Sequence, residues 1–403
     1  MSFAKWLAAA AVCLFLVSML PGCAQATPTS EPATVTFALP EVDVEYYETL
    51  VAKFNESYPY ITVELLDYES GEQDVALVSP YQIAEMRAQG DILSLDPFIE
   101  QESFDQADFY PGAIEMFAGE GKTWGIPAGV DPMVMYYNRD VFDLYGVPYP
   151  HHAEWTWDDF LLAGLGISDP EAEIFGYVST PQASDPLTFI YQHGGRILDD
   201  LQDPTRVTFD DPLTVEAVEW YVDLINVHNV APTPEQARRA FGIGNRALYQ
   251  AILRGKVGMW VGMFSERGGL TWPLEWDMNW GILPLPSDAQ SVTGGQVEGY
   301  VISSWAEYPD ACWLWVDFLS RQIPYRLAPA RRSLAESDEY ELQVGKDIAA
   351  PVRASLESAV LISPDLSGFD DALELFFTAV EEAVAGNLEP EEAMRWAQDE
   401  AER

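Results

Sequence analysis

The chain has 403 residues, of which 21 are Lys or Arg and 65 are Asp or Glu, giving a formal net charge of −44. That balance excludes a nucleic-acid partner, because phosphate binding needs clustered basic side chains; an acidic surface instead keeps the protein soluble and off anionic lipid heads. With 48% hydrophobic and 13% aromatic residues the composition is globular, and the length suffices for two domains of ordinary size.

Lys5 precedes an apolar run from Trp6 to Leu20, closed by Leu20-Pro21-Gly22-Cys23. A basic start, an apolar run too short for a comfortable membrane span and a small residue before the cut read as an export signal over residues 1–22. Cys23 directly after Gly22 predicts a bacterial lipoprotein, cleaved before Cys23 and held to the membrane by acyl chains on it. Pro21 stands where the usual pattern has a small residue, and the alternative is a plain secretory signal with an incidental cysteine. In either case the remaining chain works outside the cytoplasm. Residues 23–32 would then be anchor and tether, small, polar and proline-containing. Cys13 leaves with the signal and Cys23 carries lipid, so Cys312 alone remains and no disulfide is possible within the mature chain. Its setting, Ala-Cys-Trp-Leu-Trp, predicts a buried packing residue.

From Val35 the pattern alternates through Phe37 and Leu39, the period of a strand. Tyr47, Leu50, Val51 and Phe54 then follow helical spacing, and Ile61, Val63 and Leu65 alternate again, which makes a βαβ unit. Val75–Val78, a helix over Tyr81–Gln89 and a strand at Ile92–Leu95 continue the alternation of an α/β domain. Farther on, Thr156 and Asp159 form a capping-box pair. Asp211 and Pro212 open a helix carrying Val218, Tyr221, Val222 and Ile225. Asn245–Arg254 is a helix ended by Gly255, before the strand Val257–Val261. Ser367 and Asp370 cap a helix with Leu373, Phe377, Val380 and Val384 on one stripe; Gly386-Asn387 ends it, and Pro390 starts the last helix.

Catalytic signatures are missing. Gly121-Lys122-Thr123 resembles the tail of a phosphate loop, but Met116 occupies the place of its first glycine. There is no Gly-x-Ser-x-Gly elbow and no His-Glu-x-x-His. The four histidines are His151, His152, His193 and His228; the adjacent pair points in different directions with no cysteine near, so neither a metal nor any other cofactor is expected. What the chain does offer is aromatic rings beside polar groups. A sugar site stacks rings on apolar C–H faces and aims Asp, Glu, Gln or Arg at hydroxyls. Trp124, Asp131, Trp260, Phe264, Trp272, Trp276, Trp280, Gln296, Glu298 and Tyr300 have that character, although a tryptophan in a chain of this size is more often core than pocket.

Ordered segments carry a family resemblance over residues 33–403: TVTFALPEVDVEYYETLVAKFNESYPYITVEL, DVALVSPYQIAEMRAQGDILSLDPFI, GKTWGIPAGVDPMVMYYNRDVFDLYGVPYP followed by WTWDDF, HGGRILDD, GKVGMWVGMF, WGILPLP, GGQVEGYVISS and ACWLWVDFLS. In their order and spacing they resemble the extracellular solute-binding proteins of ABC importers, in the carbohydrate-binding group that includes the maltose-binding proteins. The resemblance implies a two-lobed α/β fold of the periplasmic-binding type II kind with the ligand in the cleft between lobes. The first lobe would take 33–138 and 297–328, the second 139–296 and 329–403. Strand Met133–Asn138 would make the first crossing and a strand beginning near Tyr300 the return. The implied partners are a carbohydrate ligand and the membrane permease subunits, with the protein monomeric, free of catalysis and tied to the membrane by its lipid.

By the same resemblance Asp131 is a hydroxyl acceptor, its alternative being a turn cap before Pro132. Phe264 stands where the family has a stacking aromatic, usually Trp. Trp124 replaces a Tyr and lines or braces the cleft, while Trp260 is expected in the core. Gln182, Ser184 and Asp185 fall near a ligand loop before Gly194-Gly195. Gln296 and Glu298 lead into the return crossing, and Arg331 matches a Pro-x-Arg pattern, either as a hydroxyl donor or as an ion-pair residue. Tyr81 rims the cleft after the third strand. Leu373 and Phe377 stand where some sugar binders have Trp and Arg, which argues against a maltodextrin. Three other readings stay open: the same fold holding a polyamine or peptide, a ferric site at Tyr136-Tyr137, and a glycoside hydrolase with an unrecognised carboxylate pair. Consecutive strand residues point to opposite sides, so only one of the two tyrosines could face a single site.

Overall fold

A computed structural model describes residues 32–67, 71, 73–151, 155–180, 185–200, 204–359 and 369–403. The export signal, nearly all of the tether, Cys23, His152, Gln182, Ser184 and Ser367 lie outside the described residues. Strand β1 (Ala33–Leu39) and strand β2 (Ile61–Asp67) pair in parallel from Ala33↔Ile61 to Leu39↔Asp67, with helix α1 (Val44–Ser57) between them. This is the βαβ unit expected from the periodicity. The α1 stripe Tyr47, Leu50 and Phe54 is buried, and the Phe37 ring meets Tyr47 at 5.0 Å and Trp315 at 5.9 Å, edge to face. Strand β3 (Val75–Val78) joins β1 in parallel, and helix α2 (Pro80–Gln89) follows, opened by a capping box of Ser79 and Gln82. Ile92–Leu95 does not form the expected strand. Leu93 donates to Ile302 and Leu95 to Thr123, two different partners, so only an isolated bridge, Ile92↔Ser303, remains.

The next strand sets the architecture. Strand β4 (Ile126–Asn138) runs for 13 residues and is buried almost throughout. The later strands are β5 (Phe175–Val178), β6 (Val257–Met263), β7 (Trp280–Leu283), β8 (Gly295–Ile302) and β9 (Ala328–Pro329). Between Ile126 and Pro132, β4 pairs antiparallel with β8, and at Gly129–Val130 with β9. Between Met133 and Asn138 it pairs with β6 and β7 instead. The sheet order β2-β1-β3-β8-β4-β6-β5 therefore falls into two halves sharing one strand, and these are the two lobes. The return strand starts at Gly295, earlier than expected from the sequence. The stretch 330–332 is bonded to Asp108 and Tyr110 beside the first half, not to the second lobe, in which the sequence division would put it.

Helix boundaries follow the caps. Thr156 and Asp159 close a capping box on α3 (Trp157–Ile167), and Asp211 accepts from the Leu213 amide at the start of α5 (Pro212–Asn226), which follows α4 (Asp185–His193). Helix α6 (Asn245–Leu253) ends before Gly255 at φ 72°. Helix α7 (Pro309–Ser320) buries Cys312 at 1% exposure, and burial pushes its thiol pKa far up. Helices α8 (Lys346–Glu357), α9 (Asp370–Val384) and α10 (Pro390–Ala401) finish the chain; α9 starts after Phe369 without a side-chain cap.

One glycine is demanded by the crossing. A Cβ on Gly129 would lie 2.6 Å from Leu327 Cβ and 2.9 Å from the Ala328 carbonyl oxygen, so β9 sits directly against the β4 backbone. Gly129→Ala is expected to lower stability by about 1–3 kcal/mol, the range for overpacking, in urea unfolding at unchanged m-value. A midpoint equal to wild type would show that β9 is free to move away.

Candidate functional site

The carboxyl ends of strands from both lobes converge where β4 changes partners. Val78, the end of β3, pairs with Gly299, and β8 runs from there back to Gly295 opposite Pro132. Met263, the end of β6, pairs with Met133. Such strand ends are where open α/β sheets place ligands.

Asp131 stands at this point, in register with Gln296 of β8. It is buried, and its Oδ1 accepts from the Ser265 amide at 2.8 Å. Burial pushes its carboxyl pKa up to about 6, with the Ser265 bond and Arg326 pulling the other way. Next to Ser265, Glu266 is also buried, and its Oε2 accepts from the Met263 amide at 3.1 Å. Burial raises this carboxyl to about 7 against the pull of the Trp272 indole and the Met263 amide. Gln296 is exposed and lies opposite Asp131 in the strand register.

Glu298 has both oxygens engaged by Arg326 Nη2, at 2.9 and 2.7 Å, and the same nitrogen lies 3.1 Å from Asp43 Oδ2 at the start of α1. The Tyr47 and Tyr300 hydroxyls meet at 2.9 Å beside them. Asp43, Tyr46, Glu298, Tyr325 and Arg326 line a cavity of about 20 Å³, the room of one water and not of a sugar ring. A cavity of about 490 Å³ lies elsewhere, lined by Tyr149, Trp155 and Leu162 of the second lobe, and shares no residue with the crossing.

The structure thus gathers Asp131, Gln296 and Glu298. Tyr81 is 62% exposed on the first turn of α2, on the loop that leaves β3 at the same sheet edge. Asp185 opens α4. Phe264 is fully buried, with the Arg267 guanidinium 4.0 Å from its ring centre, so its face is covered by protein and is no free stacking platform. Trp124 braces a hairpin. Its indole donates to the Gly119 carbonyl at 3.0 Å, with the cations of Arg87 and Lys122 at 6.0 and 5.6 Å from the ring centre, just ahead of β4. Arg331 is a buried pin, not a ligand donor. Nε donates to the Ser320 carbonyl at 3.0 Å and Nη1 to Asp108 at 3.2 Å, and its plane lies over Phe104 and Phe109. Trp260 is core, as expected. Tyr136 donates to the Met263 carbonyl, while Tyr137 belongs to the other lobe's core. Among the described residues no group of His, Cys, Asp and Glu could hold a metal ion.

Sequence reasoning missed Asp43, Glu266, Arg267 and Arg326. Asp43 holds the N-cap position of α1 without capping it by its side chain, and none of the four belongs to an apolar period, so only the fold brings them together.

A family model described as bacterial extracellular solute-binding protein matches residues 40–322. The chain belongs to this family. The solute-binding protein is 26% identical over 216 residues to an arabinooligosaccharide-binding protein of Halalkalibacterium halodurans, an alignment covering 49% of this chain and 46% of the relative. It therefore spans less than half of that relative's length. A Listeria monocytogenes ABC substrate-binding protein in complex with cycloalternan superposes with a TM-score of 0.71 at 20% identity, covering 92% of this chain and 98% of that one. The sugar-binding protein MalE of Xanthomonas citri gives 0.72 at 19% identity, covering 91% and 96%. These neighbours establish the two-lobed fold of this solute-binding protein, and its family implies an extracytoplasmic location. Among the described residues no helix is long and apolar enough to cross a membrane.

Two outcomes are expected of the ligand-free solute-binding protein. His193, held by Asp288 at 2.6 Å and Glu216 at 3.1 Å, is raised above 6.5: burial opposes the shift, and the two carboxylates outweigh it. Asp131, Glu266 and His193 all bind protons more tightly folded than unfolded. Their stabilisation is fully present below the unfolded values of 3.8, 4.5 and 6.5 and is lost as pH rises through the folded ones. Melting temperature should therefore climb from about pH 8 to about pH 5, and Glu266→Gln should flatten the climb; an unchanged slope in that variant contradicts the assignment. Separately, Arg331→Ala empties a buried site and leaves half-buried Asp108 and the buried Ser320 carbonyl without their donor, and should cost about 3 kcal/mol in chemical denaturation.

Proposed function

We propose that this protein captures a sugar or oligosaccharide outside the cytoplasm and hands it to the membrane permease of an ABC importer, with no chemistry of its own. Residues 1–22 act as the export signal, Cys23 carries the lipid, and the protein works as a monomer on its tether. The two lobes, meeting where β4 changes partners and with 330–332 held beside the first, close about β4, β8 and the passage at Ala328–Pro329, and the permease reads the closed shape. One observation carries this reading best: a buried carboxylate, Asp131, fixed by the Ser265 amide and in register with the exposed Gln296 where the two lobes meet. A fixed acceptor next to a free donor and acceptor suits a sugar's vicinal hydroxyls. Glu298 lies on the same strand and Tyr81 on the rim. The arabinooligosaccharide-binding relative supports a pentose oligomer as the first ligand to try.

A polyamine is the competing ligand, because Asp43, Asp131, Glu266 and Glu298 outnumber the Arg267 and Arg326 cations at the crossing. A thermal-shift and calorimetry screen over arabinotriose, maltotriose, xylotriose, simple hexoses and spermidine decides between them, since a ligand bound only by the native state raises its melting temperature. A sugar is expected to give the shift. Asp131→Ala and Gln296→Ala should each weaken it about tenfold or more, about 1.4 kcal/mol, while Arg331→Ala binds as wild type. Phe264→Ala is unsuited as a probe, because emptying a fully buried ring site costs about 3–5 kcal/mol in stability. A shift with spermidine alone would reject the sugar.

A further inference from the structure

Arg326 stands between two groups of contacts that belong to different lobes. Its backbone carbonyl accepts from Arg267 Nη1 at 2.6 Å, and the neighbouring Tyr325 carbonyl accepts from Arg267 Nη2 at 2.6 Å. Arg267 follows β6 at the base of the second lobe, anchored over the Phe264 ring and against the Phe264 carbonyl at 3.2 Å. The Arg326 side chain points the other way, into the first lobe. There its Nη2 holds both oxygens of Glu298 on β8 and one of Asp43 at the head of α1. Arg326 is nearly buried, and its Nε has no partner among the described residues. Two residues later the chain enters β9, which pairs with β4 at Val130, beside Asp131.

A planar guanidinium gripping a carboxylate fixes its direction as well as its charge. The carbonyls that place this guanidinium are themselves gripped from the second lobe. We infer that Arg326 is a positioning residue for ligand capture, carrying the contact between lobes, made through Arg267, into the orientation of Glu298 in the binding cleft. Motion of the second lobe shifts the 325–326 backbone, and with it the carboxylate that faces the cleft wall. Asp43 holds the same guanidinium against α1, so Glu298 cannot follow the shift alone.

One arm of the test needs no ligand and the other rests on the sugar reading. In the first arm, small-angle X-ray scattering of the ligand-free protein is compared for wild type, Arg267→Gln and Arg326→Gln. Arg267→Gln, which removes the grip on the 325–326 carbonyls, is expected to shift the distribution of interatomic distances to longer values, while Arg326→Gln, which keeps those carbonyls, should give the wild-type curve; an unchanged curve for Arg267→Gln would overturn the inference. In the second arm, the sugar that gives the largest thermal shift with wild type is titrated calorimetrically. Arg326→Gln should weaken it about tenfold or more and Arg326→Lys should restore part of the loss. The double variant Arg267→Gln/Arg326→Gln should lose less than the product of the single losses, because both break one relay. Additive losses, or Lys no better than Gln, would overturn it. Should no sugar shift wild type, the sugar reading fails while the scattering arm still judges the contact between lobes.

Discussion

A strand has two edges, and on β4 each edge is claimed by different neighbours in its two halves. Up to Pro132 the bonds go to β8 and β9, and from Met133 onward to β6 and β7. Every buried backbone group must find a partner, so the point of exchange is fixed by both sheets together. Relative motion of the lobes must be absorbed there, at β4, at the approach to β8 and at the passage into β9. A ligand touching Asp131 or Gln296 therefore sits on the axis of that motion, where small displacements of the lobes change its contacts most.

The electrostatics follow from the same place. Strand ends supply backbone amides, and Asp131 and Glu266 each take one. Those bonds make two nearby buried carboxyls tolerable without making them comfortable, which is why both titrate above the ordinary range. Asp131 also draws on the Ser265 side chain and Glu266 on the Trp272 indole, so both carboxyls are held by the segment that follows β6.

Local pattern made much of this legible in advance. The alternation of Val35, Phe37 and Leu39, the stripe of Tyr47, Leu50 and Phe54, and the Thr156–Asp159 cap are dictated by neighbours a few residues apart, and they form as read. Asp131 and Gln296 were visible because they flank crossings. For Arg331 the sequence left a hydroxyl donor and an ion pair open, and its motif says nothing of Asp108, which lies more than two hundred positions away and pairs with it. For Trp124 the sequence left lining and bracing open, and a hairpin carbonyl and two cations claim the ring. The grip of Arg326 on Asp43 spans 283 positions, and no periodicity carries information over that distance.

Cys312 has one more consequence. It is sealed in α7 against the first-lobe core, with its proton held tightly, so maleimide or disulfide reagents meet it only when that helix leaves the sheet. In the proposed lipoprotein, with Cys13 trimmed off and Cys23 acylated, its alkylation rate becomes a private clock for breathing of that half, blind to the opening and shutting of the clamshell.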